Sequence, residues 1–195
     1  MFALVQDNTI TKTISGNRGI TIGDIQYPQN IFTLWSAAER EAIGIYEVVF
    51  DNSNKKDEAY YINTNQSFNF ADGVVTASYG SATAKELDDR NATNEAGEEL
   101  DPVVVIEGLK TKHKKIIKKQ ASGLLEPTDW YNHKALDDDT FTIPANITTY
   151  RANIRTRSNE METAIDNASD VDALAALYVY KDGERPLGEF PILEI

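Results

Sequence analysis

The spacing of apolar residues changes partway along this chain, and that change constrains its fold more than any other feature. Through residue 81 the apolar residues come in short runs broken by turn chemistry, and after residue 108 they recur with helical spacing. Phe2–Gln6 and Thr9–Thr13 flank Asp7-Asn8, a pair that tolerates the positive φ values of a two-residue hairpin turn. Ile20–Ile22 and Ile25–Tyr27 repeat the pattern around Gly23-Asp24, after the flexible connection Ser15–Gly19. Pro28 ends that hairpin because it has no N–H for a ladder. Ser36 followed by Glu39 is a capping box for a short helix over Ala37–Ile43, closed by Gly44. Ile45–Phe50, Tyr60–Asn63, Ser67–Phe70 and Val74–Tyr79 then read as strands of an antiparallel meander, with Asp51–Asn54 and Ala71-Asp72-Gly73 as turns.

The expected organisation is α+β: a β-rich N-terminal domain over 1–81, a polar linker with a short strand over 82–107, and a helical domain over 108–195. The linker is charged and nearly free of bulky apolar residues until Val103–Ile106, a β-branched run suited to a buried strand. Leu109, His113, Ile116, Ile117, Gln120, Ala121, Leu124 and Leu125 share one helix face, and Pro127 ends that helix. An irregular stretch holding Trp130, Tyr131 and Asp137–Asp139 leads to Pro144, placed in the first turn of a second helix along Ile147, Tyr150, Ile154, Met161 and Ile165. Ser169 and Asp172 form a capping box for a short third helix, and Tyr178–Tyr180 reads as a returning strand. The outcome is a helical hairpin with a small helix beside it.

Composition narrows the chemistry. The 195 residues include no cysteine and two histidines, which excludes disulfides, thiol nucleophiles and zinc ribbons. The net charge of -12 argues against a nucleic-acid partner, since phosphate binding needs a basic footprint. Residues 1–100 hold 15 acidic and 7 basic side chains, whereas six lysines crowd Lys110–Lys119, a face expected to be solvated, to pack or pair with the acidic first domain, or to meet another protein. Neither a phosphate loop, a nucleophile elbow nor a zinc-protease motif occurs. His113 and His133 read as structural, and Asp137–Asp139 as a solvated loop in preference to a cation site. The N-terminus lacks the basic flank of a signal peptide and no apolar run is long enough to span a bilayer, so synthesis in a cytoplasm is expected and no membrane partner is. These readings call for no metal, no cofactor and no catalytic residue.

Two stretches carry a family resemblance. Tyr27-Pro28-Gln29-Asn30-Ile31-Phe32-Thr33-Leu34-Trp35-Ser36, followed by Glu39, Glu41 and Ala42-Ile43-Gly44-Ile45-Tyr46-Glu47-Val48, resembles a block near the N-terminus of small phage tail and tail-fibre-associated proteins. Leu124-Leu125-Glu126-Pro127-Thr128-Asp129-Trp130, with Ile143-Pro144, Tyr150-Arg151 and Ile154-Arg155, is similar to phage tail assembly chaperone-like domains. The acidic Tyr131–Thr142 connection is longer than in that pattern. The resemblance implies a non-enzymatic, multi-copy structural protein of the virion tail, made in the host cytoplasm, with other tail or fibre proteins and further copies of itself as partners. Its alternative is a tail-fibre assembly chaperone absent from the mature particle. Trp35, Tyr60, Tyr61, Phe68, Phe70 and Trp130 are the candidate interface anchors. Asp129, Tyr150, Arg151 and Arg155 form a structural motif in which Asp129 pairs with Arg151 or Arg155 to lock the helical hairpin.

Overall fold

A computed structural model of the chain describes residues 1–16 and 18–193; Asn17, within the Ser15–Gly19 connection, and the final two residues lie outside the described residues. The chain divides between Thr83 and Ala84 into two compact units, two residues from the boundary expected at 81. The class is α+β, with strands concentrated in the first unit and helices in the second.

In the first unit, β1 (Phe2–Gln6) and β2 (Thr9–Ile14) form the expected hairpin, with Asp7 and Asn8 at φ 49° and 59°. Positive φ at both central residues twists the turn in the sense the strands require. β3 (Ile20–Ile22) and β4 (Ile25–Tyr27) make the second hairpin. A helical turn that sequence pattern did not mark, α1 (Ile31–Leu34), buries Ile31 and Phe32. α2 (Ala37–Glu41) follows, with the Ser36–Glu39 capping box formed in both directions. β5 (Ile45–Asp51), β6 (Tyr61–Ile62), β7 (Gln66–Ala71) and β8 (Val74–Tyr79) complete the run, and the short β9 (Thr83–Ala84) falls on the division itself.

The main sheet has the order β2-β1-β5-β8-β7. All its pairs are antiparallel except β5 with β8, which run parallel with Val48 beside Val75. The meander expectation fails at that pair because β5 leaves the sheet through a long excursion and the chain returns to it with β8. The sheet is apolar on both faces. Leu4 and Ile45 face Ile14, Ile20, Ile31 and Phe32, while Ala3, Val5, Val48, Val75 and Ala77 face the other way. Ile10 of β2 and Phe68 and Phe70 of β7 pack on this second cluster, so the sheet curls until its two edge strands approach each other.

Residues 84–107 are not a free linker. β10 (Arg90–Asn91) pairs antiparallel with β11 (Val105–Ile106), and a bridge between Thr93 and Glu99 extends the ribbon to a turn at Asn94–Gly97. Val103, Val104, Val105 and Ile106 are all exposed, with Val103 58% accessible, so the run expected to be a buried strand lies outside any core. β-branched composition permits a strand there, but none of the described residues covers it.

Helix α3 (Leu109–Leu125) leads through a 3-10 turn at Glu126–Thr128 into α4 (Asp129–Asp137), then α5 (Ala145–Asp166) and α6 (Val171–Ala176). Three local expectations shift. Pro127 sits in the first residues of the 3-10 turn, where its missing N–H is harmless, and the stretch expected to be irregular continues as α4. Pro144 is the residue before α5 instead of its first turn, and α6 is capped by Asp170, which accepts from Ala173, not by Ser169. Tyr178–Tyr180 forms no strand. Of the face expected on α3, Leu109, Ile117 and Ala121 are buried, whereas Ile116 is half exposed and Gln120 faces outward. The C-terminal segment lies back along α5: Arg157 donates to the carbonyls of Leu187 and Glu189, and Leu187 is buried.

Gly44 tests how tightly β1 is held. It adopts φ +82°, accepts the Val5 N–H at 2.8 Å, and a Cβ there would lie 2.5 Å from the Val5 carbonyl oxygen. Gly44→Ala is expected to cost about 2–4 kcal/mol in urea unfolding, from φ strain and displaced backbone together. Gly73→Ala, also at positive φ but in open space, should cost only about 1 kcal/mol.

Candidate functional site

Polar groups converge most densely where α3 ends against α5. Isoleucine, tyrosine and methionine at helical spacing bury one stripe of α5, and that packing carries Arg151 inward: its side chain is only 8% accessible. The guanidinium donates to the Leu125 carbonyl at 2.9 Å, to the Thr128 hydroxyl, and to Asp129 Oδ1 at 2.7 Å. Tyr150 donates from its hydroxyl to the Leu124 carbonyl at 3.3 Å. Thr128, itself buried, donates to Leu125 as well. The last carbonyls of a helix have no partner inside it, and here two residues of a neighbouring helix supply one. Asp129 thus selects Arg151 over Arg155, and the motif is a clamp on a helix end.

Arg155 lies one turn further along α5, exposed, with only a long 3.4 Å contact to the Arg151 carbonyl. It borders an open cleft of about 520 Å³ between α3 and α5, with Ala121 and Leu125 at its floor, the Asp129–Arg151 pair in its lining and Lys118, Ser122 and Asn159 at its edge. Among the described residues no carboxylate pairs with Arg155.

The lysine-rich face of α3 is largely consumed within its own unit. Lys110 pairs with Asp88, Lys114 with Asp166, Lys115 with Glu107, and Lys118 with Glu162. The hydrogen bond that it donates to Asp166 holds the Lys114 ammonium above its ordinary pKa. At the start of the helix Asp89 accepts from the Gly108 N–H at 2.8 Å and from the Thr111 hydroxyl at 2.9 Å, which lowers its pKa. His113 packs at a tilt against Tyr178, ring centres 4.9 Å apart, and shares a 2.8 Å hydrogen bond with its hydroxyl. Burial pushes the His113 pKa down.

The six aromatic candidates divide by exposure. Tyr60 is buried; Phe68 and Phe70 line the sheet's second cluster, with Phe70 4.8 Å from Tyr46. Trp35 meets Tyr27 edge to face at 6.0 Å beside the first cluster, and Tyr61 is half buried under Lys56. These five are engaged in packing their own unit. Trp130 alone is mostly open, stacked on Tyr131 at 3.9 Å with Phe141 nearby. Of the triplet Asp137–Asp139, Asp138 accepts from the N–H and hydroxyl of Thr140 and so ends α4. Sequence reasoning missed the exposed ribbon and the cleft. The ribbon's signal is present in the chain: a run of four β-branched residues follows sixteen positions almost devoid of other apolar side chains to cover it.

Compared with known proteins, the chain matches no family model, no curated protein and no solved structure.

Two measurements check this account. Arg151→Met removes three hydrogen bonds, leaves Thr128 and the Leu125 carbonyl with only each other and Asp129 with solvent, and is expected to cost about 1–3 kcal/mol in urea unfolding. Arg155→Ala should change stability by less than about 0.5 kcal/mol. For His113 the folded pKa is depressed, so its contribution is complete above the unfolded value of about 6.5 and is lost as pH falls through the folded value. His113→Gln should therefore narrow the drop in Tm between about pH 7.5 and about pH 5.5, measured by circular dichroism.

Proposed function

We infer that the chain is a non-enzymatic structural protein of a phage particle, a multi-copy component of the tail or tail fibre that works through subunit contacts. The observation that carries this reading is the disposition of surface. The polar groups singled out by sequence, Asp129, Tyr150 and Arg151 above all, are spent on holding helices together. The apolar surplus is instead displayed on a projecting ribbon, where four adjacent β-branched residues stand in solvent. A monomer rarely leaves such a run uncovered, and contact between chains is the usual reason. The resemblance of Tyr27–Val48 and Leu124–Arg155 to phage tail proteins supplies the setting, the virion tail, with neighbouring tail or fibre proteins as partners.

Quantitative mass spectrometry of purified particles tests this. Presence in a fixed ratio to the other tail proteins is the expected result. Presence during assembly but consistent absence from finished particles would replace the structural reading with that of an assembly chaperone.

A further inference from the structure

The ribbon and the α3–α5 cleft have complementary surfaces. From Arg90 to Ile106 the ribbon carries four carboxylates, Glu95, Glu98, Glu99 and Asp101, against one cation, Arg90 at its base, which pairs with Glu86. Glu98 and Glu99 accept hydrogen bonds from Asn94 and Asn91, which orders the tip without neutralising it. Beside this acidic tip lies the exposed apolar run Val103–Ile106. The cleft has a small apolar floor of Ala121 and Leu125 in an otherwise polar lining, where Asp129 is paired with Arg151 and the guanidinium of Arg155 has no carboxylate partner among the described residues.

We propose that the ribbon of one copy docks in the α3–α5 cleft of another, its valines against Ala121 and Leu125 and its tip carboxylates on Arg155. The proposal rests on the multi-copy structural reading and names the surface it uses. Charge chooses this occupant. Antiparallel pairing of two ribbons would bring four carboxylates against four, a repulsion that the same pairing's backbone hydrogen bonds must overcome. Of the cations lining the cleft, Lys118 is paired with Glu162 and Arg151 with Asp129, which leaves Arg155 as the one without a carboxylate among the described residues. Because ribbon and cleft are different surfaces, the contact is heterologous and propagates into rings or filaments unless a symmetric exchange closes it.

The test uses the full chain in sedimentation velocity over a wide concentration range. Val103→Asp/Val104→Asp places charge on the ribbon, and Arg155→Glu inverts the cleft; all three positions are exposed, and circular dichroism verifies the fold. Wild type is expected to self-associate, and each variant alone to associate at least about tenfold more weakly. An equimolar mixture of the two variants retains one intact ribbon and one intact cleft, so it should recover complexes of two chains and none larger. A wild type that stays monomeric, variants that associate like wild type, or a mixture that recovers nothing would each overturn the proposal. A monomeric chain that mass spectrometry nonetheless finds stoichiometrically in particles would overturn the docking and leave the structural reading standing.

Discussion

Helix α3 has no side-chain cap of its own at either end, and the helical unit is arranged around supplying one. At the start, Gly108 occupies the cap position without a side chain to offer, so the amide hydrogens of Leu109 and Lys110 go to the carbonyls of Glu86 and Leu87, and Asp89 takes that of Gly108. At the finish, Arg151 and Tyr150 reach from α5 to the carbonyls of Leu125 and Leu124. Apart from Thr128, whose hydroxyl also donates to the Leu125 carbonyl, these partners are distant in sequence. The cost of leaving helix termini bare in a half-buried setting thereby fixes where the base of the ribbon and the N-terminal half of α5 must sit.

The same economy explains the charges. A helix with six lysines in ten positions would repel itself, yet four of them meet carboxylates on α5, on Glu107 or at the ribbon's base. Exposed pairs of this kind contribute little individually. Their value is that the unit's positive face is cancelled locally, so what remains for recognition is confined to a few places. The first unit is organised differently. Its sheet buries both faces, one against α1 and the β3–β4 hairpin and the other against its own curled edges, and its aromatic residues fill those layers.

How much of this was legible depended on whether the deciding interaction was local. Asp7-Asn8, Gly23-Asp24 and Ser36 with Glu39 each fix a backbone state through neighbours within four residues, and the structure has them where the chain implies. The Asp129–Arg151 pair was legible from helical spacing joined to the motif around Trp130, though spacing alone left Arg155 open. Helices α1 and α4 were not, because a single turn carries too few apolar positions to show a period and because Pro127 reads as a stop when it opens a turn. The parallel β5–β8 pair and the bareness of Val103–Ile106 are decisions of tertiary structure. A β-branched run specifies extended backbone, and only the rest of the fold determines whether anything lies on top of it.

The parallel pair also orders events in time. During synthesis, β1, β2 and β5 emerge first, and the edge of β5 along Val48 to Asp51 has no sheet partner until Val75 to Ser78 have been made. β7 emerges earlier than β8 yet attaches to the sheet through β8, so it offers that edge no cover in the interval. At about 5–20 residues per second the sheet stands open for about a second or longer on every chain produced. β8 is thus the strand that both closes the sheet and admits β7, and the soundness of the first unit is decided by its arrival.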